Sequence, residues 1–124
     1  MDTVIIILII ALLILVFWYF LSPQTQEKFD DAPAMIINFN TSWCGASKHF
    51  QPSWDKFSQM MQGKNIKVID MKCDKSKEND AYCDKNNIRA YPTVKLIKGN
   101  QSYEYSGNRT PEDLMNFCSK YTSL

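Results

Sequence analysis

The sequence predicts an α/β domain, a mixed sheet of about four strands with helices on both faces, preceded by one N-terminal transmembrane helix. Three observations carry this. Val4 to Leu21 is an unbroken run of 18 apolar residues without a charge. After it, short runs rich in β-branched residues alternate with stretches whose apolar residues recur at helical spacing. The chain then closes on a hairpin signal and one more helix, which adds antiparallel strands to an alternating pattern.

Each element follows from local chemistry. As a helix, 18 residues span roughly 27 Å, close to the apolar thickness of a bilayer. Asp2 stands where a signal peptide carries basic residues, Phe17, Trp18, Tyr19 and Phe20 form an aromatic end, and no small-residue cleavage pattern follows. This favours an uncleaved anchor. In the next dozen residues only Lys28 is basic, against Glu27, Asp30 and Asp31, so flanking charge sets no orientation. Residues 1–21 are read as the anchor, 22–33 as a tether with room for one helical turn near Gln24 to Phe29, and 34–124 as the globular domain. Ala34 to Phe39 is a buried strand between Pro33 and Asn40-Thr41-Ser42. From Gly45 to about Gln62, Phe50, Trp54, Phe57 and Met61 make one helical stripe, with Pro52 inside it and Gly63 as the stop. Ile66 to Met71 is a second strand, and Ser76 caps a helix to about Lys85. Thr93 to Ile97 and Gln101 to Tyr105 are strands joined across Lys98-Gly99-Asn100. Thr110 caps the last helix, with Pro111 at its first position and Glu112 and Asp113 complementing the dipole. Its stripe is Leu114, Phe117, Cys118 and Tyr121.

The whole chain has 124 residues, enough for one small domain, and 45% are hydrophobic against 22% charged, which excludes a disordered tail. Lys+Arg 14 against Asp+Glu 13 leaves a net charge of +1. No uniform positive field is available to hold nucleic acid. Three acceptor triplets for N-glycosylation, starting at Asn40, Asn100 and Asn108, lean towards a lumenal or external domain.

Trp43-Cys44-Gly45-Ala46-Ser47 lies where a strand ends and a helix begins. A sulfur there faces unpaired N–H groups and the positive end of the helix dipole. Such placement lowers a thiol pKa from about 8.5 towards roughly 3.5–7.5. Ser47 can offer a hydroxyl, and Lys48 a charge. On spacing alone, a reactive thiol and an inert buried cysteine fit equally well. Cys118 reads as a core spectator. His49, about 140° around the helix from Cys44, is poorly placed as its base. The lysines at 72, 75 and 77 alternate with acids and read as a solvated face. The four cysteines and one histidine do not fall in paired zinc-ligand spacing, so no metal and no cofactor is expected.

Asn38 to Pro52 resembles the active-site region of thioredoxins and protein disulfide isomerases, with Trp-Cys-Gly-x-x-Lys and a proline eight residues after the cysteine. Ile88-Arg89-Ala90-Tyr91-Pro92-Thr93 resembles the segment that carries that family's cis-proline. The likeness runs from about Met35 to Tyr121 and implies a thioredoxin-like fold. It implies Cys44 as nucleophile tuned by Ser47, and a client groove shaped by Pro92. Trp43 and Tyr91 fit an apolar platform for a client peptide and plain local packing equally well, and Gly45 is read with them as substrate-binding. Arg89 corresponds to an arginine that approaches the active site in disulfide isomerases. Cys73 and Cys83 look like a structural bridge seen in some disulfide isomerase domains; two free thiols are the alternative, and a bridge would imply an oxidising space.

The sequence departs from the family at Ser47, where a second cysteine usually resolves mixed disulfides. It departs again at Asn38, where a buried carboxylate usually serves that cysteine. The two losses agree with each other and resemble monothiol members that retain clients through Cys-x-x-Ser. The expected function is thiol–disulfide exchange or mixed-disulfide capture of protein clients, with glutathione as a further partner and Val4 to Leu21 in the membrane. The expected location is a single-pass membrane protein of an endoplasmic-reticulum-like or virion membrane. Similar short anchored proteins occur in large DNA viruses. A catalytically inactive binding module and a glutaredoxin-like iron–sulfur or glutathione protein are the alternatives.

Overall fold

The computed structural model describes residues 2–22 and 33–124. The helical turn expected near Gln24 to Phe29 lies outside the described residues. Two units separate by their internal contacts, Met1–Asp31 and Ala32–Leu124.

In the first unit, α1 spans Thr3–Leu21, 19 residues with no acidic group in its first turn and no basic group in its last. Its apolar side chains are exposed all round. A soluble helix would hide one face, so this surface matches an apolar surrounding rather than a protein core. Ser22 ends the helix, its N–H donating to the Trp18 carbonyl at 2.7 Å. By length and composition α1 can cross a membrane.

The second unit runs β1 (Ala34–Asn40), α2 (Gly45–Met60), β2 (Ile66–Lys72), α3 (Lys77–Lys85), β3 (Thr93–Lys98), β4 (Gln101–Tyr105) and α4 (Pro111–Ser119). The sheet order is β2-β1-β3-β4. Strand β1 pairs in parallel with β2 and antiparallel with β3, and β3 pairs antiparallel with β4. Parallel β1 and β2 need a crossover, which α2 supplies.

Alternation along β1 divides the core in two. Ile36 joins Phe50, Trp54 and Phe57 of α2 and Leu114, Phe117 and Cys118 of α4. Ile37 and Phe39, on the opposite face, pack with Cys73, Cys83 and Ile88. Helices α2 and α4 thus share one face while α3 covers the other. The α2 stripe is buried against the sheet, and so are Leu114, Phe117 and Cys118 of α4, whereas Tyr121 lies past the helix end at Ser119 and is only partly buried. The predicted caps form too: the Asn79 N–H donates to Ser76 Oγ at 3.1 Å and the Asp113 N–H to Thr110 Oγ1 at 3.2 Å. Differences from the expected boundaries are small. Strand β1 extends through Asn40, because the Cys73 N–H donates to the Asn40 carbonyl at 2.8 Å and continues the ladder. Helix α2 stops at Met60 rather than about Gln62, ahead of Gly63 with φ 76°, a left-handed value that favours glycine.

Candidate active site

The central strand β1 delivers the chain to one end of the sheet, and α2 starts after four intervening residues. Cys44 is the N-cap of α2, with φ −76° and ψ 123°. Its carbonyl accepts the Lys48 N–H at 3.1 Å, while its side chain faces the N–H groups that the first helical turn leaves unpaired. The Cys44 pKa is lowered, first by the Ser47 main-chain N–H, then by the Ser47 side chain, the Ala46 N–H and the Arg109 charge, with desolvation opposing them. Ser47 is buried, and its Oγ accepts the Thr41 N–H at 3.4 Å. That acceptor role leaves the hydroxyl proton to the sulfur.

Strand β3 brings the second half of the site. The Tyr91–Pro92 peptide is cis. Pro92 is buried, and the Cys44 thiol donates to the Tyr91 carbonyl at 3.6 Å. Thr93 Oγ1 donates to the Ala90 carbonyl at 2.8 Å, closing the turn ahead of the proline. The Trp43 ring meets that of Tyr91 edge-on, with centroids 6.1 Å apart. Trp43 remains 68% exposed, an unusual state for the largest apolar side chain. A Cβ built on Gly45 would meet nothing within 4 Å. The sulfur therefore lies against the Tyr91 main chain, with the paired Trp43 and Tyr91 rings in the same two segments and open space at Gly45.

The guanidinium whose charge favours the Cys44 thiolate belongs to Arg109, in the β4–α4 connection, with its carbon 5.8 Å from the Phe50 ring centroid. Arg89 is exposed and is not among the groups that shift Cys44. Sequence reasoning missed Arg109. The available signal was topological: β4 runs antiparallel to β3 and ends with Tyr105 opposite Val94. The residues after β4 therefore emerge at the end of the sheet where Cys44 lies.

Behind the loop, the Asp74 carboxylate accepts the Ser42 N–H at 3.0 and 3.1 Å and the Ser42 hydroxyl at 3.3 Å. Asp74 adjoins Cys73, which is disulfide-bonded to Cys83, and both cysteines are buried. The Ile88 N–H donates to the Cys83 carbonyl at 3.1 Å. One bridge thus fixes the segment that holds Ser42 and the segment that leads to Tyr91 and Pro92. Cys118 is fully buried, and burial pushes its thiol pKa up to about 12. His49 is exposed on α2. Asn38 is fully buried, and neither polar atom of its amide has a partner among the described residues. An ionised carboxylate in that place would cost far more than an unpaired amide.

The sequence model of the Thioredoxin family matches residues 22–120. Human protein disulfide-isomerase TMX3 is 31% identical over 97 residues, covering 77% of this chain and 20% of the relative. The Drosophila melanogaster thioredoxin domain-containing protein 5 homolog is 32% identical over 102 residues, covering 78% of this chain and 24% of the relative. The match spans about a fifth to a quarter of these curated relatives. Among solved structures, human ERp44 superposes with a TM-score of 0.65 at 22% identity, over 77% of this chain and 26% of that one. The first thioredoxin domain of mouse protein disulfide-isomerase A4 gives a TM-score of 0.62 at 23% identity, over 84% of this chain and 68% of that one. Matching fold, paired site segments and a family match over most of the chain lead to one conclusion: the chain belongs to the thioredoxin family, alongside domains of the protein disulfide isomerases.

Proposed function

We propose that this is a membrane-anchored, single-thiol thioredoxin-family protein that exchanges or captures protein disulfides through Cys44. The observation that carries the reading is the Cys44 sulfur itself. It is partly exposed, its thiolate favoured by the Ser47 and Ala46 N–H groups, in contact with the carbonyl before cis-Pro92, and beside Ser47 where a second thiol would sit.

The chemistry balances without an external oxidant. The Cys44 thiolate attacks one sulfur of a client disulfide. A bond forms between Cys44 Sγ and that sulfur, the client S–S bond breaks, and the other client sulfur leaves as a thiolate. A second client thiolate then attacks the mixed disulfide and expels Cys44, so the client is rearranged with no net redox change. Ser47 cannot perform that release, because a hydroxyl is not ionised near neutral pH. The mixed disulfide is accordingly long-lived, which favours retention of clients. Glutathione disulfide can load Cys44 by the same step, releasing one glutathione thiolate. Trp43, Gly45, Tyr91 and Pro92 form the groove in which client main chain lies. In this reading α1 spans the bilayer and the domain occupies an oxidising lumenal or external space, which the Cys73–Cys83 bridge supports.

The test is to isolate the full chain from membranes after blocking free thiols and to resolve its adducts without reductant. Adducts that disappear on reduction, vanish in Cys44→Ala and become scarcer in Ser47→Cys are expected. Adducts of equal abundance in Cys44→Ala contradict the proposal. The exposed Trp43 favours one companion reading, non-covalent peptide binding in the same groove. Client binding that survives Cys44→Ala but is lost in Trp43→Ala identifies it.

A further inference from the structure

We infer that Asn100 is an N-linked glycosylation acceptor, and that the other two acceptor triplets, at Asn40 and Asn108, are not used. The inference rests on the proposed lumenal or external position of the domain. The three triplets look alike in the sequence, and their surroundings separate them.

Asn40 is fully buried at the end of central strand β1. Its Nδ2, the atom that would take the sugar, donates to the Asn38 carbonyl at 2.9 Å, to the Met71 carbonyl at 3.3 Å and to the Asp70 carboxylate. Its Oδ1 accepts from Lys72 Nζ at 2.8 Å. A glycan there cannot be accommodated in the folded sheet. Asn108 is exposed, but its triplet is occupied by structure. The Tyr105 hydroxyl donates to the Asn108 carbonyl, and Thr110 Oγ1 is the cap that accepts the Asp113 N–H. Pro111 follows immediately and restricts Thr110 to extended conformations. Arg109, within the same triplet, carries the charge that acts on Cys44. A glycan at Asn108 would stand beside the client groove.

Asn100 has neither restriction. It lies in the Gly99–Asn100 turn between β3 and β4, where Gly99 has φ 58°. Asn100 and Ser102 are both exposed, and no hydrogen bond engages either side chain among the described residues. The strand register puts this turn at the opposite end of the sheet from the site: Lys98 pairs with Ala34, whereas Thr93 pairs with Phe39. A glycan on Asn100 therefore leaves Cys44 open. It also stands beside β4, an edge strand, and bulk there blocks pairing with another chain.

In the transfer, the Asn100 amide nitrogen bonds to the anomeric carbon of a polyprenyl-pyrophosphate-linked oligosaccharide. The carbon–oxygen bond to pyrophosphate breaks, polyprenyl pyrophosphate leaves with the electron pair, and the amide gives up a proton.

The test is translation of the full chain with endoplasmic-reticulum vesicles, with external protease reporting separately where the domain lies. The expected result is a protected domain carrying one glycan that peptide-N-glycosidase removes. That glycan is absent in Asn100→Gln and in Ser102→Ala and retained in Asn108→Gln. A protected domain without a glycan, or one still glycosylated in Asn100→Gln, overturns the assignment and leaves the lumenal reading standing. A protease-accessible domain overturns the lumenal reading and the assignment with it.

Discussion

Two free sulfurs sit in one small domain and face opposite environments. Cys44 caps α2, partly exposed, with the Ser47 N–H, the Ser47 hydroxyl and the Ala46 N–H favouring its thiolate. Cys118 lies inside α4 against Phe50, Trp54 and Leu114, where burial alone pushes its pKa up to about 12. The residue type is the same in both places. What differs is whether the backbone presents donors or apolar side chains. A helix start supplies unpaired N–H groups and a helix interior supplies none. The two thiols thus differ by their position in the fold, with opposite pKa directions.

The largest test of that contrast removes the support behind Cys44. Replacing Cys73 and Cys83 together with Ala should lower stability by about 2–3 kcal/mol, read by denaturant unfolding of the full chain in detergent. It should also slow Cys44 alkylation, because Asp74 then loses its anchored position against Ser42. Unchanged Cys44 reactivity would separate the bridge from the site.

The next effect belongs to Cys118. Its folded pKa of about 12 lies above the unfolded value of about 8.5. Its contribution is therefore intact below pH 8.5 or so and is lost as pH rises towards the folded value. Between those limits the unfolded chain holds fewer protons, so stability should fall by about 1.4 kcal/mol per pH unit from this group. Tyr105, also raised, by burial and then by Asp113, adds to the alkaline loss. The difference between the wild-type protein and Cys118→Ala isolates the thiol. Parallel stability curves for the two would contradict a buried, protonated Cys118.

Ser47→Ala should raise the Cys44 pKa and slow its alkylation at neutral pH a few-fold, since the side-chain donor goes while the main-chain N–H remains. An unaltered pH profile would show that the hydroxyl does not reach the sulfur. The smallest effect is expected for Arg109→Gln, a modest upward shift that added salt erases in the wild-type protein, because the guanidinium is exposed and screened. Arg89→Gln should leave the profile unchanged.

Much of this was legible in the residues. Apolar periodicity identified α2 and α4 because each buries one stripe. The runs at Ala34 to Phe39 and Ile66 to Met71 read as strands because both faces of that part of the sheet are covered. Cys44, Ser47 and Pro92 stand out as candidates because a thiol at a helix start and a Tyr-Pro segment are local patterns, and the fold brings the three together. Arg109 was not found, because its approach depends on strand β4 returning the chain to the site, a tertiary fact. The Asp74 carboxylate on Ser42 escaped notice for the same reason, the partners being 32 positions apart in the sequence. The three glycosylation triplets could not be ranked either, since only the fold buries Asn40 and commits Thr110 to a cap.

The most direct measurement follows alkylation of each cysteine against pH in the full chain, resolved by peptide mass spectrometry. The expected result is a Cys44 midpoint below the ordinary thiol value of about 8.5, with Cys118 unmodified throughout that range while the protein stays folded. A Cys44 midpoint at or above the ordinary value, or equal rates for the two sulfurs, would contradict it.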